Sequence, residues 1–398
     1  AVLNDLLNQR QHQATGQQDY GKWLETHQPF NWLAEFYHII HDNGGFDVII
    51  GNPPYVVYTD NSLSYKIGNN YRTRSCANLY AFCVERSDSL KRENGRFGMI
   101  VPNSSISAQK MLPVQQIIKE HKKVWISNYS WRPSKLFEGA DMLLAIIIFA
   151  PSSEASIFTT LYQKWYNEYR NNLFNAISYS DVSNILIDGS IPKIPRIFGK
   201  RILNKQKLAS NGSYLSNSFV QTSKYCLYYF RAVQYWFKIL TVEPIYDEDG
   251  VHKATGEMKP IYASSEAEKS LLISILSSST FFLNYIIWSS CQVVNSRDFN
   301  MAFNRTALSE SMAKELSDLG VKLQEDYQKN SHIVERNYSK KGRKFTMRKQ
   351  HFYIKYSKAI IDEIDKVLAK HYGFTEEELD FIINYDIKYR MGDELNAD

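Results

Sequence analysis

Phe46-Asp47-Val48-Ile49-Ile50-Gly51-Asn52-Pro53-Pro54-Tyr55 decides the reading of this 398-residue chain. An apolar run that ends in Gly and then a Pro pair predicts a buried strand delivering a rigid polar tip to the carboxyl edge of a sheet. In open α/β sheets that edge is where ligands bind. The groups on the tip suit one reaction, methylation of an exocyclic amine. The Asn52 side-chain oxygen accepts a hydrogen bond from an NH2 group, and the Pro53 carbonyl accepts a second, its direction fixed by the proline-locked backbone. Pro54 stiffens the same turn, and Tyr55 offers a face on which a flat base can stack. The competing reading is a plain strand followed by a Pro-Pro turn, with Tyr55 as ordinary packing.

Outward from this tip, the first 155 residues alternate strand and helix. Val2–Gln13 and Asn78–Leu90 predict helices, Glu93-Asn94-Gly95 a turn, and Arg96–Val101 a second strand. Met111–Glu120 predicts a helix, followed by strands at Val124–Tyr129 and Met142–Phe149. Such units predict a largely parallel sheet covered on both faces, with the last two strands as an antiparallel hairpin at its edge. From Ser152 the pattern turns irregular, with aromatic strands such as Lys224–Phe230 and a helix opened by Ser265 ahead of Glu266 and Glu268. Beyond Ser309 the chain reads as helical and charged, and Thr375 with Glu378 spells a reciprocal helix start. The expected domains are 1–155, 156–308 and 309–398.

Composition narrows the class. Hydrophobic residues make up 44% of the chain and aromatics 14%, as in a globular protein with full cores. The longest apolar stretch, Met142–Ala150, is too short to span a bilayer, so no membrane partner is expected. Cys76, Cys83, Cys226 and Cys291 form no CxxC pair and read as free thiols in a reducing, cytoplasmic setting. No Cys/His cluster suggests a metal. The net charge is +5, yet Ser331–Lys358 alone holds nine Lys/Arg against one Glu. Within it Lys340, Lys341, Arg343, Lys344, Arg348 and Lys349 lie among Tyr and Phe residues, a composition suited to a polyanion carrying stackable bases. A solvated helical face or a basic loop is the alternative.

FDVIIGNPPY (46–55), ANLYAFCVERSDSLKRENGRFGMIVPNSSIS (77–107) and KLFEGADMLLAIIIF (135–149) together resemble an N6-adenine DNA methyltransferase of the γ arrangement. In that arrangement the methyl-donor half precedes the target-recognition half. YYFRAVQYWFKIL (228–240), SSEAEKSLLISILSSSTFF (264–282) and FTEEELDFIINYDIKYR (374–390) resemble the recognition region of type IIG restriction–modification and phage-defence enzymes. The resemblance implies an α/β fold: the carboxyl-terminal part of a Rossmann-like methyltransferase sheet, a mixed α+β recognition domain and a helical tail. It implies S-adenosylmethionine as cofactor, double-stranded DNA as partner, and other restriction or defence subunits as further partners. By the same pattern Asn52, Pro53, Pro54 and Tyr55 are catalytic, Phe149 faces Tyr55 across the target base, and Phe82 packs on the donor's adenine. Both phenylalanines also read as plain core.

In the recognition half Arg231, Tyr235, Trp236, Asn295, Arg297 and Asp298 are candidates for reading base edges. Arg231 as a phosphate contact and Trp236 as a core anchor stand beside that reading. One departure is large. The family's glycine-rich donor loop belongs upstream of Asn52, where only 51 residues stand, and none forms a strand followed by a GxG turn. The expectation is therefore a piece of a longer protein with an incomplete donor site, itself doubtful as a catalyst. Two alternatives remain open: a DNA-binding specificity module without catalysis, and an NPPY methyltransferase acting on protein glutamine or RNA.

Overall fold

The computed structural model describes residues 2–16, 19–61, 67–187, 189–233, 235–253, 256–340 and 342–392. The chain divides into two compact units, Ala1–Pro192 and Lys193–Asp398.

The first unit is built on a six-stranded sheet of β1 (Phe46–Gly51), β2 (Lys91–Pro102), β3 (Lys123–Tyr129), β4 (Leu144–Ala150), β5 (Ser156–Gln163) and β6 (Ser180–Asp181), in the order β1-β2-β4-β3-β5-β6. β1 runs parallel to β2, and β5 parallel to β3. β4 lies between β2 and β3, antiparallel to both. The sheet is therefore mixed, where a largely parallel one was expected. The helix Leu112–Glu120 carries the chain from β2 to β3 and leaves a one-strand gap, which β4 fills by turning back. The β3–β4 hairpin exists but lies inside the sheet, because β5 and β6 extend it. The expected boundary at 155/156 thus falls between two strands of one sheet.

Val101, Ile126, Ala145 and Ile147 of the middle strands are buried, as are Val114, Ile117 and Ile118 of the helix. Each of these Val and Ile side chains contributes roughly 1.5–3 kcal/mol by leaving water. β1 differs from its expected character. It is the edge strand, with Val48 52% and Ile50 81% exposed. Its entry is fixed by Gly45, at φ +125°, where an added Cβ would lie 2.5 Å from the Leu90 carbonyl oxygen. The predicted turn Glu93-Asn94-Gly95 is absorbed as a bulge in β2, where pairing skips from Phe46↔Lys91 to Val48↔Arg96.

The second unit is centred on the helices Glu266–Ser277 and Ser279–Trp288, bent by 62° at Ser278. Among the described residues no single helix is long and apolar enough to cross a membrane. Ser265 caps the first helix and Ser278 the second. Asp365, from the helix Lys358–Tyr372, accepts from the Ser279 and Thr280 amides and the Thr280 hydroxyl. Gly320 lets the helix Glu310–Lys329 lie directly on Glu266–Ser277, since a Cβ there would come 2.1 Å from the Ser270 carbonyl oxygen. Thr375 and Glu378 form the expected capping box.

Two small sheets complete the unit. One is ordered β11 (Met258–Tyr262), β7 (Cys226–Phe230), β8 (Ile239–Leu240); the other β10 (Val251–His252), β9 (Tyr246–Glu248), β13 (Arg343–Phe352), β12 (Ser331–Lys340). The basic segment expected within a helical tail is thus a β-ribbon. Its pairing sets Arg336 and Tyr338 on one face and Glu335 and Asn337 on the other, which the charge count did not show.

Candidate functional site

The NPPY tip leaves the sheet at the carboxyl end of β1, as expected. Asn52 is exposed, and its side chain forms no hydrogen bond among the described residues. Pro53 is buried, Pro54 exposed and Tyr55 half-buried. The loop is then tied down at once: the Leu79 amide donates to the Val56 carbonyl, the Tyr58 amide to Ala77, and Val57 bridges to Asn78. An anchored backbone with a free Asn side chain is what pre-organised hydrogen-bond acceptance requires.

Tyr55 is held at both ends. Its hydroxyl donates to the Ile100 carbonyl of β2 at 2.9 Å, and burial pushes its pKa up to about 12. Its ring packs on a cluster of Tyr129, Leu136, Leu144, Trp165 and Leu173. Phe137, half-buried, packs on the same cluster.

Phe149 does not stand opposite Tyr55. It is 1% exposed, pairs with Phe97 in the middle of the sheet, and is stacked between Phe97 at 4.6 Å and His121 at 4.0 Å. Neither of its faces is open to a base, so its role is core packing. Counting to the end of the apolar run pointed to the wrong residue, because β4 runs antiparallel and carries its last residue away from the NPPY edge. Phe137, in the β3–β4 connection, is an aromatic that shares the Tyr55 cluster and keeps part of its surface open. A loop aromatic has no periodicity to mark it.

Asn103, directly after β2, is a buried lock. Asn103 donates to Asn128 at 2.7 Å and accepts from the Tyr162 hydroxyl at 2.7 Å, while Asn128 donates to the Thr160 carbonyl at 2.7 Å. Three strand ends are thereby fixed behind the tip. Asp47 pairs with Arg92 at 2.7 Å at the opposite end of β1, a structural role.

Phe82 is 5% exposed, with Tyr58 and Tyr71 set edge-on to it at 5.5 and 5.3 Å. It lines an open groove of about 460 Å3 along β1, with Trp32, Val48, Ile50 and Cys83. This apolar trough suits a flat ring. Its lining holds no carboxylate to meet ribose hydroxyls and no glycine-rich turn. S-adenosylmethionine as a whole therefore does not fit the residues present, and the site is partial.

In the second unit the Trp236 ring is covered by the Arg390 guanidinium at 3.8 Å, and its indole N–H donates to the Arg390 carbonyl. Tyr235 lends its carbonyl to the same arginine. These two anchor the fold. Asn295 and Asp298 cap their own turn, and Asp298 is buried. Arg231 has both backbone groups bonded, yet its guanidinium has no partner among the described residues. Arg297 is half-buried. On the ribbon Arg343 pairs with Glu248 and Asp249, and Arg348 with Asp247. Lys344 is exposed and unpaired among the described residues, and Lys349 lies over the Tyr246 ring at 5.1 Å. Only the backbone of Lys340 is described, and Lys341 lies outside the described residues.

With this geometry in place, comparison with known proteins agrees with the resemblance. Residues 3–137, which include the NPPY tip, match the family described as Eco57I restriction-modification methylase. A protein of Methanocaldococcus jannaschii named for a type II restriction enzyme and methyltransferase is 28% identical over 203 residues, 49% of this chain. The chain spans 16% of that relative's length. Among solved structures, the Type IIL restriction-modification enzyme MmeI in complex with DNA has a TM-score of 0.42 at 13% identity, covering 88% of this chain and 57% of that one. A nuclease-deletion mutant of the Type ISP enzyme LlaGI with a DNA substrate mimic has a TM-score of 0.38 at 12% identity, covering 76% and 46%. At these scores no residue role is carried across.

Proposed function

We propose that this chain supplies the base-handling and DNA-binding parts of an adenine-N6 DNA methyltransferase of a restriction–modification or phage-defence system. The observation that carries the proposal is the exposed, uncommitted Asn52 on an anchored loop beside a ring held from both ends. The adenine amino nitrogen is a poor nucleophile because its lone pair is delocalised into the ring. Acceptance of its two hydrogens by the Asn52 side-chain oxygen and the Pro53 carbonyl localises that pair. Tyr55 stacks on the extruded base, offsetting part of the few kcal/mol that flipping costs. Phe137 is our candidate for the second aromatic contact. S-adenosylmethionine is the methyl source this reading requires, and a further segment, on the same or another polypeptide, has to complete its site.

The test is transfer of labelled methyl to unmodified duplex DNA by the complete enzyme, with and without Asn52→Ala. The expected outcome is transfer that falls by about a hundredfold or more in the variant. Label in protein or RNA instead of DNA would move the assignment to the glutamine or RNA alternative. One observation favours a second reading for this chain alone: the uncovered β1 edge and partial groove support DNA binding without transfer.

A further inference from the structure

The β12–β13 ribbon has its positive charge answered at some positions and not at others. Arg343 and Arg348 meet carboxylates of β9, as described above. Glu243, ahead of β9, is engaged by His252 at 3.5 Å. Strand alternation places Arg336 of β12 on the same side as Lys349 and His351 of β13, through the pairs Arg336↔Met347, Val334↔Lys349 and His332↔His351. Neither Arg336 nor Lys349 has a carboxylate partner among the described residues. Lys238, just ahead of β8, comes in over the rings of Phe230 and Phe352 at 4.7 and 5.9 Å, on the other side of β13 from His351, and its charge still acts on the His351 ring.

We propose that Arg336, Lys349 and His351 form a clamp for a DNA phosphodiester, and that His351 takes a proton from solvent as the clamp closes. The proposal rests on the reading that DNA is the partner. The groups facing His351 are His332 and Arg336 from β12 and Lys349 on its own strand, with Lys238 of the β8 lead-in acting from the other side. Glu248 of β9 shares the His351 side through its pairing with Met347, but Arg343 holds it at 2.8 Å; Asp247 lies on the other side, with Arg348. Burial first, then Lys238, Arg336 and Lys349, hold the His351 pKa below the ordinary histidine value, so the free ring is neutral near pH 7. A phosphate reverses that balance, because an anion beside the ring favours the charged form. Affinity therefore rises as pH falls from the bound-state to the free-state pKa, and levels off below. Beyond the three residues of β13 that pair with β9, the β12–β13 hairpin is two-stranded, a shape the major groove admits.

The experiment is binding of the full chain to a duplex of about 30 bp, by anisotropy, over a salt series and across the pH range in which histidine titrates. The expected result is several-fold tighter binding on acidification, with heat of binding that depends on buffer ionisation. His351→Gln flattens the pH profile while keeping the salt dependence. Arg336→Gln and Lys349→Gln each lower the salt slope by about one, and Arg343→Gln lowers it less. Circular dichroism of each variant confirms the fold. A wild-type pH profile in His351→Gln, or unchanged slopes in the other two, overturns the clamp and leaves the DNA reading intact. Preference for duplex RNA, or no DNA binding at any pH, overturns both. Methyl transfer is measured separately, and its failure touches only the catalytic reading.

Discussion

Lys193 is fully buried. Its Nζ donates to the carbonyls of Ile287 and Ser289 at the end of the helix Ser279–Trp288, and burial pushes its pKa down to about 8. A lysine with a lowered folded pKa gives up its proton earlier in the native state than in the unfolded chain. Below about pH 8 it therefore imposes a constant penalty, relieved between about 8 and its ordinary value near 10.4. Urea unfolding of the wild type and Lys193→Met is expected to show a stability difference that shifts in favour of the wild type over that interval. An identical difference at every pH would mean the group does not titrate there. The same residue-scale logic separates two phenylalanines. Phe149→Ala empties a fully packed position and is expected to cost about 3–5 kcal/mol. Phe137→Ala, at a half-buried position, is expected to cost less in urea. It is expected to weaken the fluorescence rise that 2-aminopurine shows on leaving the stack at the target position. Equal stability loss in both variants would make Phe137 core as well.

At the scale of elements, Gly320 and β1 make opposite predictions. Gly320→Ala drives a methyl into the Ser270 carbonyl, a backbone atom that moves only if two helices part, so a loss of about 1–3 kcal/mol or more is expected in thermal unfolding. Ile50→Asp, on an exposed edge, is expected to change stability by no more than about 0.5 kcal/mol. A large loss there would mean β1 is already covered. The strand FDVIIG, the helix Leu79–Leu90 and the caps at Ser265 and Thr375 were legible because apolar periodicity and capping chemistry are local. The insertion of β4 between β2 and β3 was not, since strand order depends on pairing between distant residues. Nor was the exposure of Ile50, because an apolar run reads the same whether its neighbour is present or absent. Asn52 was legible as a tip residue for the same local reason, while Phe137 and Arg336 depended on what the fold set beside them.

For the whole molecule, the two functions proposed lie in different units and have different completeness. DNA contacts are assigned to cations of the second unit that have no carboxylate partner among the described residues. The donor contacts assigned to the first unit stop at one apolar trough along an open strand. Ligands that bind only the native state raise its stability by RT ln(1 + [L]/Kd), about 2.7 kcal/mol at a hundredfold excess over Kd. Differential scanning of the chain with duplex DNA at low salt is therefore expected to shift a melting transition upward, and the shift to vanish as salt rises. S-adenosylmethionine at millimolar concentration is expected to shift none. Addition of a segment bearing a glycine-rich donor loop should then create a donor-dependent shift, and Ile50→Asp, which places a charge on the exposed face of β1, should weaken it if that face receives the segment. A donor-dependent shift in the chain alone would show that the groove along β1 is sufficient, and would make Phe82 part of a complete site.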